Sequence, residues 1–362
     1  MILVDAHLDI AYNAISFNRD YRLPAYKTRA QEDPAAMDIR QGGPGLASVG
    51  LPDGLLARTA VVFATVFTMP DADKFFPLST EPTYKNVQQA YDNGQRQLDY
   101  YERLTDDHEQ LRLIRTAADL EAVLATWAPD APMRGRQQGL VLLMEGADPI
   151  VAPEQFEEWY ERGLRAVGPA WSTTRYAYGD GDPGPLTPLG YDLLEAMADA
   201  NALLDTSHLA ERAFFQALDA YPGPLMASHS NPRKFYDSER NLSDEQIRAL
   251  AERDGVIGVV AYNVFLDAMY RRGDKRTAVP FTRLLDVIDH VCQVTGSAQH
   301  VGIGSDMDGG FGLESVPLGM GSNLDLWWIT TGLRERGYAE ADIEAVAGGN
   351  FLRKLGEALP RG

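Results

Sequence analysis

Met1-Ile-Leu-Val-Asp5-Ala-His7-Leu-Asp9 opens the chain. The apolar start reads as a buried β-strand, and the end is polar. Strand side chains alternate between faces, so Asp5, His7 and Asp9 point the same way. An apolar run ending in His, Glu or Asp returns four more times. Leu140-Val-Leu-Leu-Met144 precedes Glu145, Leu203-Leu-Asp-Thr-Ser207 precedes His208, Leu225-Met-Ala-Ser228 precedes His229, and Val301-Gly-Ile-Gly-Ser305 precedes Asp306. One such residue alone is ordinarily a satisfied core or surface group. Five strands ending this way call for a common cause.

Working outward, eight runs read as strands: 2–8, 59–68, 140–145, 164–168, 202–207, 225–228, 256–262 and 301–305. They are short and continuously apolar, as in Val61-Val-Phe-Ala-Thr-Val66 and Val256-Ile-Gly-Val-Val260. That suits burial on both faces of a parallel sheet. Between them, apolar residues recur at helical spacing over 82–104, 117–127, 154–163, 189–201, 210–220, 243–253 and 280–296. Ser243 with Gln246, and Thr116 before Ala117, read as helix N-caps. Eight strands alternating with helices predict an α/β fold, a (β/α)8 TIM barrel. A doubly wound open sheet is the alternative. It is disfavoured because no Gly-rich phosphate loop follows the first strand.

Two segments interrupt the alternation. Residues 10–58 form a long polar excursion after the first strand, and 172–188 form a long loop after the fourth. Long loops at the carboxyl ends of barrel strands shape substrate pockets. No repeat, low-complexity tract or linker divides the chain, so it reads as one domain over 1–362.

The bulk numbers are those of an ordinary globular protein. The chain has 362 residues, 45% hydrophobic and 23% charged, enough for a large core. With 33 Lys and Arg against 52 Asp and Glu, the net charge is −19. That argues against nucleic acid and anionic membranes as partners. The single cysteine, Cys292, lies in a helical stretch and reads as a buried apolar residue. No membrane-spanning stretch, leader pattern or anchor tail is evident, so a cytoplasmic location is the default expectation.

The strand-end residues suggest metal chemistry. His7 and Asp9 can hold one cation, with Asp5 orienting a ligand from behind. His208 and His229 end neighbouring strands and can hold a second. Glu145 lies between the pairs in barrel order, and its two oxygens can bridge both ions. Such a pair, roughly 3.5–4 Å apart, ionises a bridging water and polarises a scissile carbonyl. Asp306 ends the last strand, beside the first, and is placed as a general base that returns its proton to the leaving amine. Nitrogen and oxygen donors without thiolate favour Zn2+, with Mn2+ or Fe2+ as alternatives. His108, His290 and His300 read as solvated or structural.

At these residues the chain resembles the membrane (renal) dipeptidase family, peptidase M19, of the amidohydrolase superfamily. Asp5-Ala-His7-Leu-Asp9 is similar to the family's Asp-Gly-His-x-Asp opening. Glu145-Gly146, Asp205-Thr-Ser-His208, Ser228-His229-Ser230, Gly304-Ser-Asp306-Met-Asp-Gly309 and Gly348-Gly-Asn-Phe-Leu-Arg353 resemble its further motifs. The resemblance spans essentially the whole chain. It implies a two-zinc dipeptidase, with His7, Asp9 and Glu145 on one ion and Glu145, His208 and His229 on the other. It also implies Arg240 on the substrate carboxylate, Tyr262 in the pocket, and a homodimer. One departure stands out. The family histidine that contacts substrate after the fourth strand is absent, and Ala170 or Trp171 takes its place in Val167-Gly-Pro-Ala-Trp-Ser-Thr-Thr174. Losing a donor at a developing oxyanion costs about 10²–10³ in rate. Either another group substitutes, with Arg175 and Tyr176 nearby in sequence, or the same binuclear site acts on another small amide: an N-acyl amino acid, a cyclic amide or a maturation intermediate. A metal-binding barrel without catalysis is the remote alternative.

Overall fold

The fold is that of a computed structural model describing residues 1–71 and 81–361. Eight parallel strands form a ring: β1 (Leu3–Leu8), β2 (Thr59–Phe67), β3 (Gln138–Glu145), β4 (Leu164–Gly168), β5 (Leu203–Asp205), β6 (Leu225–Ala227), β7 (Val256–Val259) and β8 (Val301–Ile303). Each pairs with the next, and Asp5 opposite Ile303 closes β1 onto β8. Every strand residue is buried. That is why the runs read as continuously apolar rather than alternating. Helices fill the connections, giving the (β/α)8 barrel expected from the alternation. A buried cluster draws Val4, Phe63, Leu143 and Met226 from the barrel onto Phe351 and Leu355 of the C-terminal helix, Asn350–Ala358.

The helix ends follow local chemistry. Thr116 and Asp119 form a reciprocal capping box, and so do Ser243 and Gln246. Each satisfies backbone N–H groups that the first helical turn leaves without partners.

The structure departs from the sequence reading in several places. The helix expected from 82 begins at Val87, where Asn86 caps it by accepting from the Gln89 amide; Thr83–Tyr84 is instead a short strand. Residues 10–58 are largely helical, with helices at Ile10–Phe17, Ala25–Gln31, Pro34–Met37 and Leu51–Leu56. An extra strand, Leu111–Leu113, pairs with the start of β3. Three barrel strands stop two or more residues early: β5 at Asp205, β7 at Val259 and β8 at Ile303. The chain beyond β5 and β8 leaves extended geometry, with His208 at φ 67° and Asp306 at φ 55°. These left-handed residues turn the backbone over the barrel mouth, at a cost of order 1 kcal/mol each.

Candidate metal centre

The barrel brings the six strand-end residues together. Glu145, at the end of β3, is the hub. Its Oε1 lies 3.0 Å from His208 Nε2 and 3.3 Å from His229 Nε2, and its Oε2 lies 3.5 Å from His7 Nε2. His7 Nε2 is also 3.9 Å from Asp9 Oδ2 and 3.9 Å from Asp306 Oδ1. Among the described residues, three donor groups could each hold a cation: His7 with Asp9 and Glu145; Glu145 with His208 and His229; and His7 with His229 and Asp306. The third group places Asp306 against the other donors. All six side chains are buried or nearly so.

Glycine makes that crowding possible. A Cβ on Gly304 would sit 1.8 Å from the Ser228 carbonyl oxygen, and one on Gly309 would sit 1.8 Å from Asp306 Oδ1. The Gly-Ser-Asp-Met-Asp-Gly motif therefore lets β8 approach β6 and lets the turn close over Asp306.

Hydrogen bonds set the imidazole tautomers. Ser228 Oγ donates to Asp205 Oδ2 at 2.5 Å, so it accepts from His229 Nδ1 at 2.7 Å. His208 Nδ1 donates to Asp180 Oδ2 at 2.6 Å. Both Nε2 lone pairs then face the centre, only 2.9 Å apart. A shared proton or a metal cation relieves the repulsion between two lone pairs at that distance. His7 Nε2 is buried and has no hydrogen-bond partner among the described residues. The donor set and this orphaned atom fit divalent metal ions.

The charge balance agrees. Burial opposes charge on His7, but Glu145, Asp9 and Asp306 outweigh it and push the imidazole up to about 10. Burial opposes ionisation of Glu145 too, but the three histidines hold its carboxyl well below the usual range. Burial pushes Asp9 up to about 6, and pushes Asp306 well above the usual range. His229 is held well below its usual value by burial, with His7 adding to the effect. The metal-free centre thus takes up protons to offset its clustered carboxylates. His7, raised from 6.5 to about 10, contributes stability that is full below pH 6.5 and lost as pH rises toward 10. A cation displaces that proton, so metal affinity should rise with pH. The expected result is a larger zinc-induced rise in unfolding temperature at pH 8 than at pH 6, measured by scanning calorimetry. A rise of equal size at both would contradict this charge balance.

Several partners were not foreseen. Asp5 was expected to orient a metal ligand. Instead it accepts from Ser305 N at 2.8 Å and Ser305 Oγ at 2.6 Å, and from His7 only through the backbone amide at 3.4 Å. It braces β1 against the turn after β8. Asp205 does the orienting, through Ser228, whose Oγ also lies 3.4 Å from His7 Nδ1. Thr65 donates to Asp9 Oδ1. Asp308 accepts from the Ser48 and Val49 amides and pins the 10–58 segment to the barrel mouth.

Arg240 lies beside the centre, donating to His229 O at 2.8 Å and Ser230 Oγ at 3.2 Å. Tyr262, just past β7, stacks on Phe311 at 4.2 Å. In the position of the absent histidine, Ala170 is buried, and the Trp171 ring lies 6.2 Å from that of His208. Neither proposed substitute takes the role. Arg175 donates to the Ile150 and Val151 carbonyls, and Tyr176 donates to Ile150 O. These bonds hold the fourth connection together and point both side chains elsewhere.

The chain is similar to several known proteins. A family model described as membrane dipeptidase (peptidase family M19) matches residues 1–359. A Klebsiella pneumoniae protein, described as an uncharacterized protein in the pqqA 5' region, is 32% identical over 257 residues, covering 68% of this chain and 88% of its own length. An uncharacterized dipeptidase of Schizosaccharomyces pombe is 32% identical over 168 residues, 46% of this chain and 39% of that protein. The fold matches a Rhodobacter sphaeroides metallopeptidase, solved with a phosphinate mimic of L-Ala-D-Ala, with a TM-score of 0.77 over 99% of both chains at 24% identity. The chain belongs to the membrane dipeptidase family, peptidase family M19, and is a metal-dependent hydrolase.

Proposed function

We propose that the chain is a zinc-dependent dipeptidase, with two ions sharing Glu145. His7 and Asp9 complete the first set of donors, and His208 and His229 complete the second. Manganese or iron would suit the same nitrogen and oxygen donors. The observation that carries this reading is Glu145 set among three imidazole Nε2 atoms at 3.0–3.5 Å. When bound, the ions would supply Lewis acidity, lowering the pKa of water and polarising the scissile carbonyl.

The chain's own residues do the rest. Asp306, set against His7 and His229, would in its ionised form take the proton from the attacking water and return it to the leaving amine. Arg240 offers its planar guanidinium to the substrate carboxylate. Tyr262, stacked on Phe311, would line one side of the substrate site. The Rhodobacter sphaeroides peptidase was solved with an L-Ala-D-Ala mimic, which supports including L,D-dipeptides among the substrates tested.

A second reading, another small amide at the same centre, is favoured by one observation. No histidine lies in 167–174, and Arg175 and Tyr176 are committed to Ile150 and Val151. The test is hydrolysis of a panel of L,L- and L,D-dipeptides by the zinc-loaded chain. Turnover that vanishes in Asp306→Asn is expected. No turnover, with two metals bound, would exclude dipeptides and leave the second reading.

A further inference from the structure

We infer that Asp180 is a positioning residue that joins the His208 cation site to the carboxylate-binding arginine; this rests on the dipeptidase reading above. A single oxygen, Asp180 Oδ2, meets His208 Nδ1 at 2.6 Å and Arg240 Nε at 3.4 Å. The first contact fixes the imidazole so that its Nε2 faces Glu145. The second holds the inner edge of the guanidinium, whose other nitrogens reach His229 O and Ser230 Oγ. One carboxylate thus touches a donor of the cation and the anchor for the substrate.

The loop is built to hold it there. Gly179 bridges to Leu209, next to His208, and the Ala210 amide donates to Tyr178 O at 3.0 Å. Thr173 Oγ1 donates to Asp182 at 3.0 Å. Asp180 therefore moves with the His208 turn. Its other oxygen, Oδ1, is buried with no hydrogen-bond partner among the described residues. Buried oxygens that serve only to brace a fold are nearly always satisfied. This one is left open while its neighbour binds two cationic or N–H partners. Asp180 also sets a carboxylate beside both the His208 imidazole and the Arg240 guanidinium.

Asp180→Asn in the full chain keeps the shape and removes the charge. Two readouts separate positioning from general damage. The first is zinc retained per chain against graded chelator. The second is KM for a dipeptide compared with its C-terminal amide. The variant should hold the His208 ion about 10–100-fold more weakly, the effect typical of removing a partner behind a metal-bound histidine. Its KM should rise for the free dipeptide and not for the amide, and Asp180→Glu should recover part of both. Unchanged zinc retention, or an equal KM change for both substrates, would overturn the inference while the dipeptidase reading stood. A wild-type chain that holds fewer than two zinc ions, or cleaves no dipeptide, would overturn both.

Discussion

Glu145→Gln should empty both cation sites at once and reduce hydrolysis by at least about 10³-fold. A cation acting on a carbonyl contributes several kcal/mol, and each 1.36 kcal/mol is tenfold in rate. Glu145 is the only residue in two of the three donor groups that carries both oxygens toward histidines. Glutamine retains one oxygen, loses the charge and turns an N–H2 donor toward the cation. Variants of His7 or His208 should each weaken one site, whereas Glu145→Gln weakens both. The metal-free chain should suffer as well. Glu145 is ionised far below the usual carboxylate range, so its contribution is present above pH 4.5 and is lost as pH falls through its folded value. Breaking such a buried pair by removing one partner costs about 3 kcal/mol. Urea unfolding in chelator should show this loss at pH 7 and a smaller one in acid. Full zinc retention by the variant would remove Glu145 from its bridging role.

Asp306→Asn should leave both cations in place and lower kcat by about 10²–10⁴, the span typical of a lost general acid or base. The substitution suits the backbone, because asparagine tolerates the left-handed φ of 55° at this position. It keeps the side-chain shape against Gly309 and removes only the ability to take a proton. KM should change little, because Arg240 and Tyr262 are untouched. Zinc content measured beside steady-state kinetics decides the role. If one ion is lost with the activity, Asp306 is a ligand, as its place with His7 and His229 allows, and the proton passes through another group.

Much of this was readable from residues alone, for a physical reason. Parallel barrel strands are buried on both faces, so they leave uninterrupted apolar runs, and all eight carry that signature. A barrel converges its strand ends, so His7, Asp9, Glu145, His208, His229 and Asp306 had to meet if the fold was right. The extra strand Leu111–Leu113 was invisible because it is three residues long with an exposed Arg112 in the middle. The helices within 10–58 were overlooked although Pro34 and Pro52 begin two of them, a first-turn signal that a periodicity search misses in helices of four to six residues. Asp180 lies in Gly179-Asp-Gly181, with no spacing relation to His208 or Arg240. Only the closed fold sets it against both. Asp5 and Asp205 look alike as buried strand carboxylates, and which of them serves a histidine ring depends on Ser228 lying across from β5.

The central claim is that two ions share Glu145, and anomalous diffraction from crystals of the zinc-loaded chain tests it most directly. The account predicts two zinc peaks about 3.5–4 Å apart, one among His7, Asp9 and Glu145 and the other among Glu145, His208 and His229. A single peak, or zinc bound away from Glu145, would contradict it.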